Sequence, residues 1–345
     1  MQFLADYGLF LAKLVTVVAG LLILVAGILA LGQRRQRDPD GHIEVRDLGE
    51  RFESFEEDIK HAILYDDELK ALHKAQRKQE KLEAKQRKKG AELVRKRIFV
   101  LDFDGDVKAS AVDNLREEIS AILTLAQPDE EVLVRLESSG GMVHSYGLAA
   151  SQLQRIVNAK LRLTVAVDRV AASGGYMMAC IAQRIVAAPF AIIGSIGVMA
   201  QLPNFNRLLK KHDVDIELHT AGEFKRTLTV LGENTEKGRQ KFLEELEETH
   251  VLFKRFVAEH RPQLDIDNVA TGEVWYGAQA VGNRLIDGVQ TSDEFLLERR
   301  RDNDLFLVRY VEKKPWQEKI GMAAEAGVER ALSRWLQRLG QRYFW

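Results

Sequence analysis

The chain has 345 residues, with 50 Lys and Arg against 51 Asp and Glu, a near-neutral balance that gives no electrostatic ground for nucleic acid as its main partner. A single cysteine, Cys180, excludes an internal disulfide and a cysteine-rich zinc site, so neither a metal nor another cofactor is expected. The length allows a membrane anchor plus one or two domains with sizeable cores.

Leu14 to Leu31 runs about 18 residues without a charge, close to the roughly 20 that cross a bilayer core, and predicts a transmembrane helix within an anchor of residues 1–37. The run is long for a signal peptide and ends in Gln33, Arg34 and Arg35 instead of a small-residue cleavage site. Arg34, Arg35 and Arg37 outweigh Lys13, which by the positive-inside rule keeps the residues after the anchor in the cytoplasm.

Residues 38–97 read as a charged helical region. Asp38 to Glu50, with Pro39 and Gly41, is a polar linker. Phe52, Phe55, Ile59, Ala62, Ile63, Leu69 and Leu72 then recur every three or four positions and predict a helix with one buried stripe. From Lys70 to Arg97 there are twelve Lys/Arg against Glu80, Glu83 and Glu92, a bias that suits anionic lipid headgroups as well as it suits a solvated helix.

From Ile98 strand-like and helical runs alternate: Ile98–Phe103, Val112–Leu125, Val132–Leu136, Tyr146–Val157 and Leu163–Val167. Alternation of this kind predicts an α/β domain. Arg184–Ala188, Ala191–Val198 and Ile216–His219 read as further strands, a long helix is expected over about Glu236–Glu259, and the domain is expected to close near Val289. The uncharged stretch Ile185–Ala200 is not read as a second span, because Pro189, Gly194, Ser195 and Gly197 break it into buried strands and turns.

Three motifs inside residues 98–289 carry chemistry. Ala171-Ala172-Ser173-Gly174-Gly175-Tyr176 lies between a strand and a helix, where a serine is either a nucleophile at the positive end of a helix or a plain N-cap. Ser138-Ser139-Gly140-Gly141 comes after a strand and offers backbone N–H groups for an oxyanion or an extended peptide, or only a flexible turn. Glu223-Phe224-Lys225-Arg226 sets a lysine beside an aromatic ring; burial there lowers a lysine's pKa and turns it into a base. Of the eight histidines only His144, just after Gly140-Gly141, lies near a candidate loop.

In order and spacing these motifs, with Gly194-Ser195-Ile196-Gly197-Val198 and Gly272-Glu273-Val274-Trp275-Tyr276-Gly277, resemble the signal peptide peptidase A family, in particular its members with one catalytic core behind a membrane helix. The resemblance covers about Asp38 to Val289. It implies a Clp protease or crotonase-like α/β core, with Ser173 as nucleophile, Lys225 as general base, and oxyanion donors around Gly140, Gly141 and Gly174. It also implies a bacterial inner-membrane peptidase that takes extended peptides without a cofactor, assembles as a homo-oligomeric ring and faces the periplasm, against the charge bias noted above. One departure is Ser139 where the family often has proline, which loosens the turn without removing a functional group. Rival readings are a crotonase-like acyl-CoA enzyme, a Ser/His/Asp protease, and a catalytically silent membrane scaffold. Residues 290–345 form an extension in which Val328, Leu332, Trp335, Leu336 and Leu339 predict an amphipathic helix for a membrane surface or a neighbouring subunit.

Overall fold

The computed structural model describes residues 41–65, 67–74, 78 and 95–312, with isolated positions 13, 16 and 20. The expected membrane helix at Leu14–Leu31, most of the basic stretch and the C-terminal amphipathic helix lie outside the described residues. Among the described residues no helix is long and apolar enough to cross a membrane. Ile43–Tyr310 forms one compact unit.

That unit is a mixed α/β structure. Its strands are β1 (Gly41–Asp47), β2 (Lys96–Gly105), β3 (Glu131–Ser138), β4 (Arg162–Val167), β5 (Val170–Ala172), β6 (Arg184–Ala187), β7 (Ile192–Gly194), β8 (Val274–Tyr276), β9 (Gly288–Val289) and β10 (Asn303–Glu312). The main order is β1-β10-β2-β3-β4-β6-β9, while β5 branches from β3 and continues through β7 to β8. Pairings from β10 to β9 and through β5 to β7 are parallel, and β7–β8 is antiparallel. The helices that pack on these strands include α1 (Leu48–Ile63), α2 (Val112–Leu125), α3 (Val143–Asn158), α4 (Gly174–Ala179), α5 (Glu236–His260) and α6 (Ser292–Arg299).

A parallel sheet covered on both sides needs apolar residues on both faces, which is why its strands read as unbroken apolar runs. Phe99, Leu101, Phe103, Val132, Val134, Leu136, Leu163 and Val165 enter one core, to which α2, α3, α4 and α5 all contribute. Ile98, Val100, Leu133, Ala166, Val186, Leu305 and Leu307 enter the other, under Leu48 of α1 and Phe295 and Leu296 of α6. Alternation of side chains along each strand makes this division. Arg261, 3% exposed, ties the end of α5 to the sheet through two hydrogen bonds to Asp287, which also accepts the Ile185 N–H.

Five expectations are corrected. Asp38–Glu50 is not a linker throughout, because Gly41–Asp47 forms β1 at the sheet edge beside β10 and Leu48 opens α1. The sheet does not close near Val289, because β10 pairs with β2 inside it and brings β1 with it. Ile216–His219 is exposed and forms no strand; of its residues only Ile216 favours a strand. Ala191–Val198 shortens to β7, since Ser195 has φ of 51° and leaves the ladder. The predicted stripe is divided between α1 and the helical residues 67–74 and is not buried as a whole: Phe52 packs on the core and Leu69 is buried, but Phe55, Ile59, Ile63 and Leu72 are exposed. Ile185–Ala200 holds β6 and β7, as the rejection of a second span required.

One buried acid gives the unit a pH dependence. Glu118 on α2 is 5% exposed and accepts the Tyr310 N–H at 2.9 Å. Burial, reinforced by the charge of Asp102, pushes its carboxyl from 4.5 up to about 7. The folded-state value lies above the unfolded one, so its contribution is complete below about pH 4.5 and is lost as pH rises through about 7. In urea unfolding at pH 8, Glu118→Gln should exceed wild type by up to about 3 kcal/mol, with the gap closing near pH 4.5; parallel pH profiles for the two proteins would refute this.

Candidate active site

Register brings the glycine turn and the serine together. Ser138, the last residue of β3, pairs with Ala171 in β5, so the chain leaves both strands at one level. Ala172 pairs with Gly194, and the Ser173 N–H donates to the Gly194 carbonyl at 2.8 Å. Ser173 thus stands between the loops at the ends of β3 and β7.

Its backbone is strained. Ser173 has φ 52° and ψ −117° between β5 and α4, a conformation that costs on the order of 1–3 kcal/mol in a residue with a Cβ and persists only where its surroundings enforce it. The hydroxyl makes no capping bond to α4, so the N-cap reading fails. Such a strand-turn-helix corner is the geometry that exposes a nucleophile at a helix N-terminus.

Gly140 lies against this corner with φ of 88°, and a Cβ there would come within 2.6 Å of the Gly174 nitrogen and 2.8 Å of Ser173 Cβ. A Cβ on Gly141 would meet the Val107 carbonyl oxygen at 2.1 Å, and one on Gly174 would meet the Tyr146 ring at 2.4 Å. Beneath the turn, Tyr146 Oη donates to the Asp106 carbonyl at 2.8 Å, so its 2.5 Å contact with Ser138 Oγ uses the serine's proton. Ser138 Oγ accepts the Gly140 N–H at 3.0 Å. The Gly140 amide is thus engaged with Ser138, whereas the Gly141 and Gly174 amides have no protein acceptor among the described residues. Tyr146 and Ser138 were not anticipated as supports, and a serine before Gly-Gly with a tyrosine eight residues on is the only trace they leave in the sequence.

A cavity of about 20 Å³, room for roughly one water, is lined by Gly141, Val143, Ser173, Gly174, Met177, Gly197, Val198, Thr249 and Phe253. Its side chains are mainly apolar. A larger cleft of about 280 Å³ involves Asp102, Arg135, Glu137 and Asp168, but those groups are engaged with one another and with Arg309, Arg169 and Ser292. Cys180 is buried, which raises its thiol pKa and removes it as a rival nucleophile.

Lys225 is not among the residues that line the cavity at Ser173. It is exposed, contrary to the expected burial, on an arm of residues 199–235 that closes on itself through Asn204 and Asn206, whose side chains bond the carbonyls of Thr229, Gly232 and Leu231. Its neighbours are fixed at the start of α5: Glu223 pairs with Lys237, and the Phe224 ring lies under Lys237 and Lys241 at 5.6 and 5.8 Å. Lys237 and the pocket residue Thr249 are twelve positions apart on α5, about 18 Å along the axis. His144 is exposed at the first turn of α3. His250, next to Thr249, has a solvent-inaccessible Nε2 without a hydrogen-bond partner.

Comparison with known proteins places this arrangement. The family model "Peptidase family S49 N-terminal" matches residues 2–153 and "Peptidase family S49" matches residues 155–305. The chain belongs to peptidase family S49. It is 49% identical over 344 residues to the probable protease SohB of Haemophilus influenzae, covering 96% of each chain. To the probable protease SohB of Buchnera aphidicola subsp. Schlechtendalia chinensis it is 48% identical over 311 residues, 87% of this chain and all of that one. A solved membrane-bound stomatin-specific protease overlays 60% of this chain and 85% of its own at 14% identity and TM-score 0.39, and the family assignment rests on the sequence matches alone. The S49 membership and the SohB relatives agree with the resemblance read from the motifs.

Proposed function

We propose that this S49 peptidase is a membrane-anchored serine endopeptidase that cleaves extended peptides through an acyl-enzyme, with Ser173 as nucleophile and Lys225 as general base. The observation that carries the reading is the Ser173 corner: a strained, uncapped serine at a helix start, with two uncommitted amides beside it. Ser173 Oγ attacks the peptide carbonyl while its proton passes to neutral Lys225. The Gly141 and Gly174 N–H groups hold the developing oxyanion. Lys225 returns the proton to the leaving amine, and water then hydrolyses the ester by the reverse use of the same groups.

The small apolar pocket favours a small apolar side chain beside the scissile bond. The exposed arm supports assembly: Met199, Leu202, Phe205, Leu208, Ile216 and Phe224 are all exposed, more apolar surface than a lone soluble chain usually presents. In the proposed homo-oligomeric ring a neighbouring copy covers the arm, carries Lys225 toward Ser173 and strips its water, the condition under which a lysine serves as a base. The proposed partners are peptide and membrane lipid, and the catalytic domain is assigned to the periplasmic side of a bacterial inner membrane.

The test is cleavage of an unstructured peptide library by the full-length protein in detergent, from pH 6 to 10. Cuts after small apolar residues, at a rate that rises with pH as the base loses its proton, are expected. Cleavage confined to charged residues would overturn the specificity, and no cleavage of any peptide would favour a silent scaffold.

A further inference from the structure

Two histidines and a glutamate outside the Ser173 site converge in the helical region 38–97. Glu57 and His61 are four residues apart on α1 and therefore share a face. His73 comes from the helical residues 67–74. One ligand atom from each lies within 4.8 Å of the others. His73 Nε2 is 3.4 Å from Glu57 Oε2, and the two imidazoles meet edge to face with centroids 6.1 Å apart.

Two features separate this cluster from ordinary surface charge. His73 Nε2 is itself shut off from solvent in a half-exposed ring, and its 3.4 Å ion-pair contact with Glu57 Oε2 is no well-formed hydrogen bond, a state that costs free energy unless something better fills it, and Nε2 is an atom through which histidine binds metals. The second is spacing. Bonds of about 2.0–2.1 Å to a tetrahedral ion put neighbouring ligands roughly 3.3–3.4 Å apart, which is the His73–Glu57 separation already present. Lys60 holds the other carboxylate oxygen of Glu57, at 2.9 Å from Oε1, and leaves Oε2 facing the histidines. His61 is exposed, so its ring is free to turn inward.

We propose that Glu57, His61 and His73 bind one divalent first-row transition cation, zinc by preference, and that the ion clamps α1 to the helical residues 67–74. Two imidazoles and one carboxylate are borderline donors that suit zinc and its neighbours, whereas magnesium and calcium require oxygen shells. Water completes the tetrahedron. The composition that argued against a cysteine-rich zinc site does not bear on this ligand set.

The test uses the tag-free full-length protein, loaded with zinc chloride, dialysed, and assayed for zinc per chain by mass spectrometry and for affinity against a chromogenic chelator. One zinc per chain, undisturbed by millimolar magnesium, is expected. His73→Ala and the conservative Glu57→Gln should each weaken binding at least about tenfold, the least that losing even a supporting contact costs a metal site. The double variant His212→Ala/His219→Ala, which removes two exposed histidines elsewhere, should leave binding unchanged. Substoichiometric zinc, displacement by magnesium, or equal loss in the His212/His219 variant would overturn the proposal.

Discussion

Ser173→Ala should abolish peptide cleavage, by at least about a thousandfold, and leave the protein folded. The first half is the loss of the proposed nucleophile. The second comes from the corner itself: the Ser173 hydroxyl caps nothing, and the bond that fixes the residue runs from its backbone N–H to Gly194, which alanine keeps. Unfolding free energies of wild type and variant should therefore agree to within about 0.5 kcal/mol. Lys225→Ala should match Ser173→Ala in activity, because without a base the serine keeps its proton. Full activity in Lys225→Ala would remove that lysine from the mechanism and direct attention to His144 and to His250, whose Nε2 lacks a partner.

Gly140→Ala should cost both stability and activity, in unequal measure. The backbone φ of 88° and the 2.6 Å approach of a Cβ to the Gly174 nitrogen combine a left-handed penalty of about 1–2 kcal/mol with overpacking of about 1–3 kcal/mol. In a unit of this size that lowers the melting midpoint by roughly 5–10 °C. The clash pushes on Gly174 and Ser173, so the fraction that stays folded should lose about a hundredfold in cleavage, the scale on which a misplacement of about 1 Å acts. An alanine variant with wild-type melting and turnover would mean that the turn does not press on the serine.

Much of this fold can be read from the sequence because parallel strands bury both faces. The apolar runs Ile98–Phe103, Val132–Leu136 and Leu163–Val167 fall inside β2, β3 and β4, and the helix read at Val112–Leu125 has those bounds. Pairing is less legible. Nothing local to Ser138 announces that it faces Ala171, and that single pairing puts Gly140 against Ser173. The apolar period on α1 was visible, but a period says that a face exists and not what covers it. Phe55, Ile59 and Ile63 accordingly remain exposed. Lys225 is the sharpest case: its motif is recognisable, yet its place depends on an arm that meets the start of α5 through Glu223 and Phe224, and it does not line the cavity at Ser173.

The arm has a consequence for how such a peptidase is made safely. The unit closes around a finished Ser173 corner while Lys225 stays exposed on the arm. On the proposed mechanism, a newly folded single chain is latent: it has its serine and its oxyanion amides but no working base. Latency of this kind needs no propeptide to be cut away, because association itself is the switch. On that mechanism proteolytic strength would also follow local concentration, sparse chains staying silent and crowded ones becoming active together.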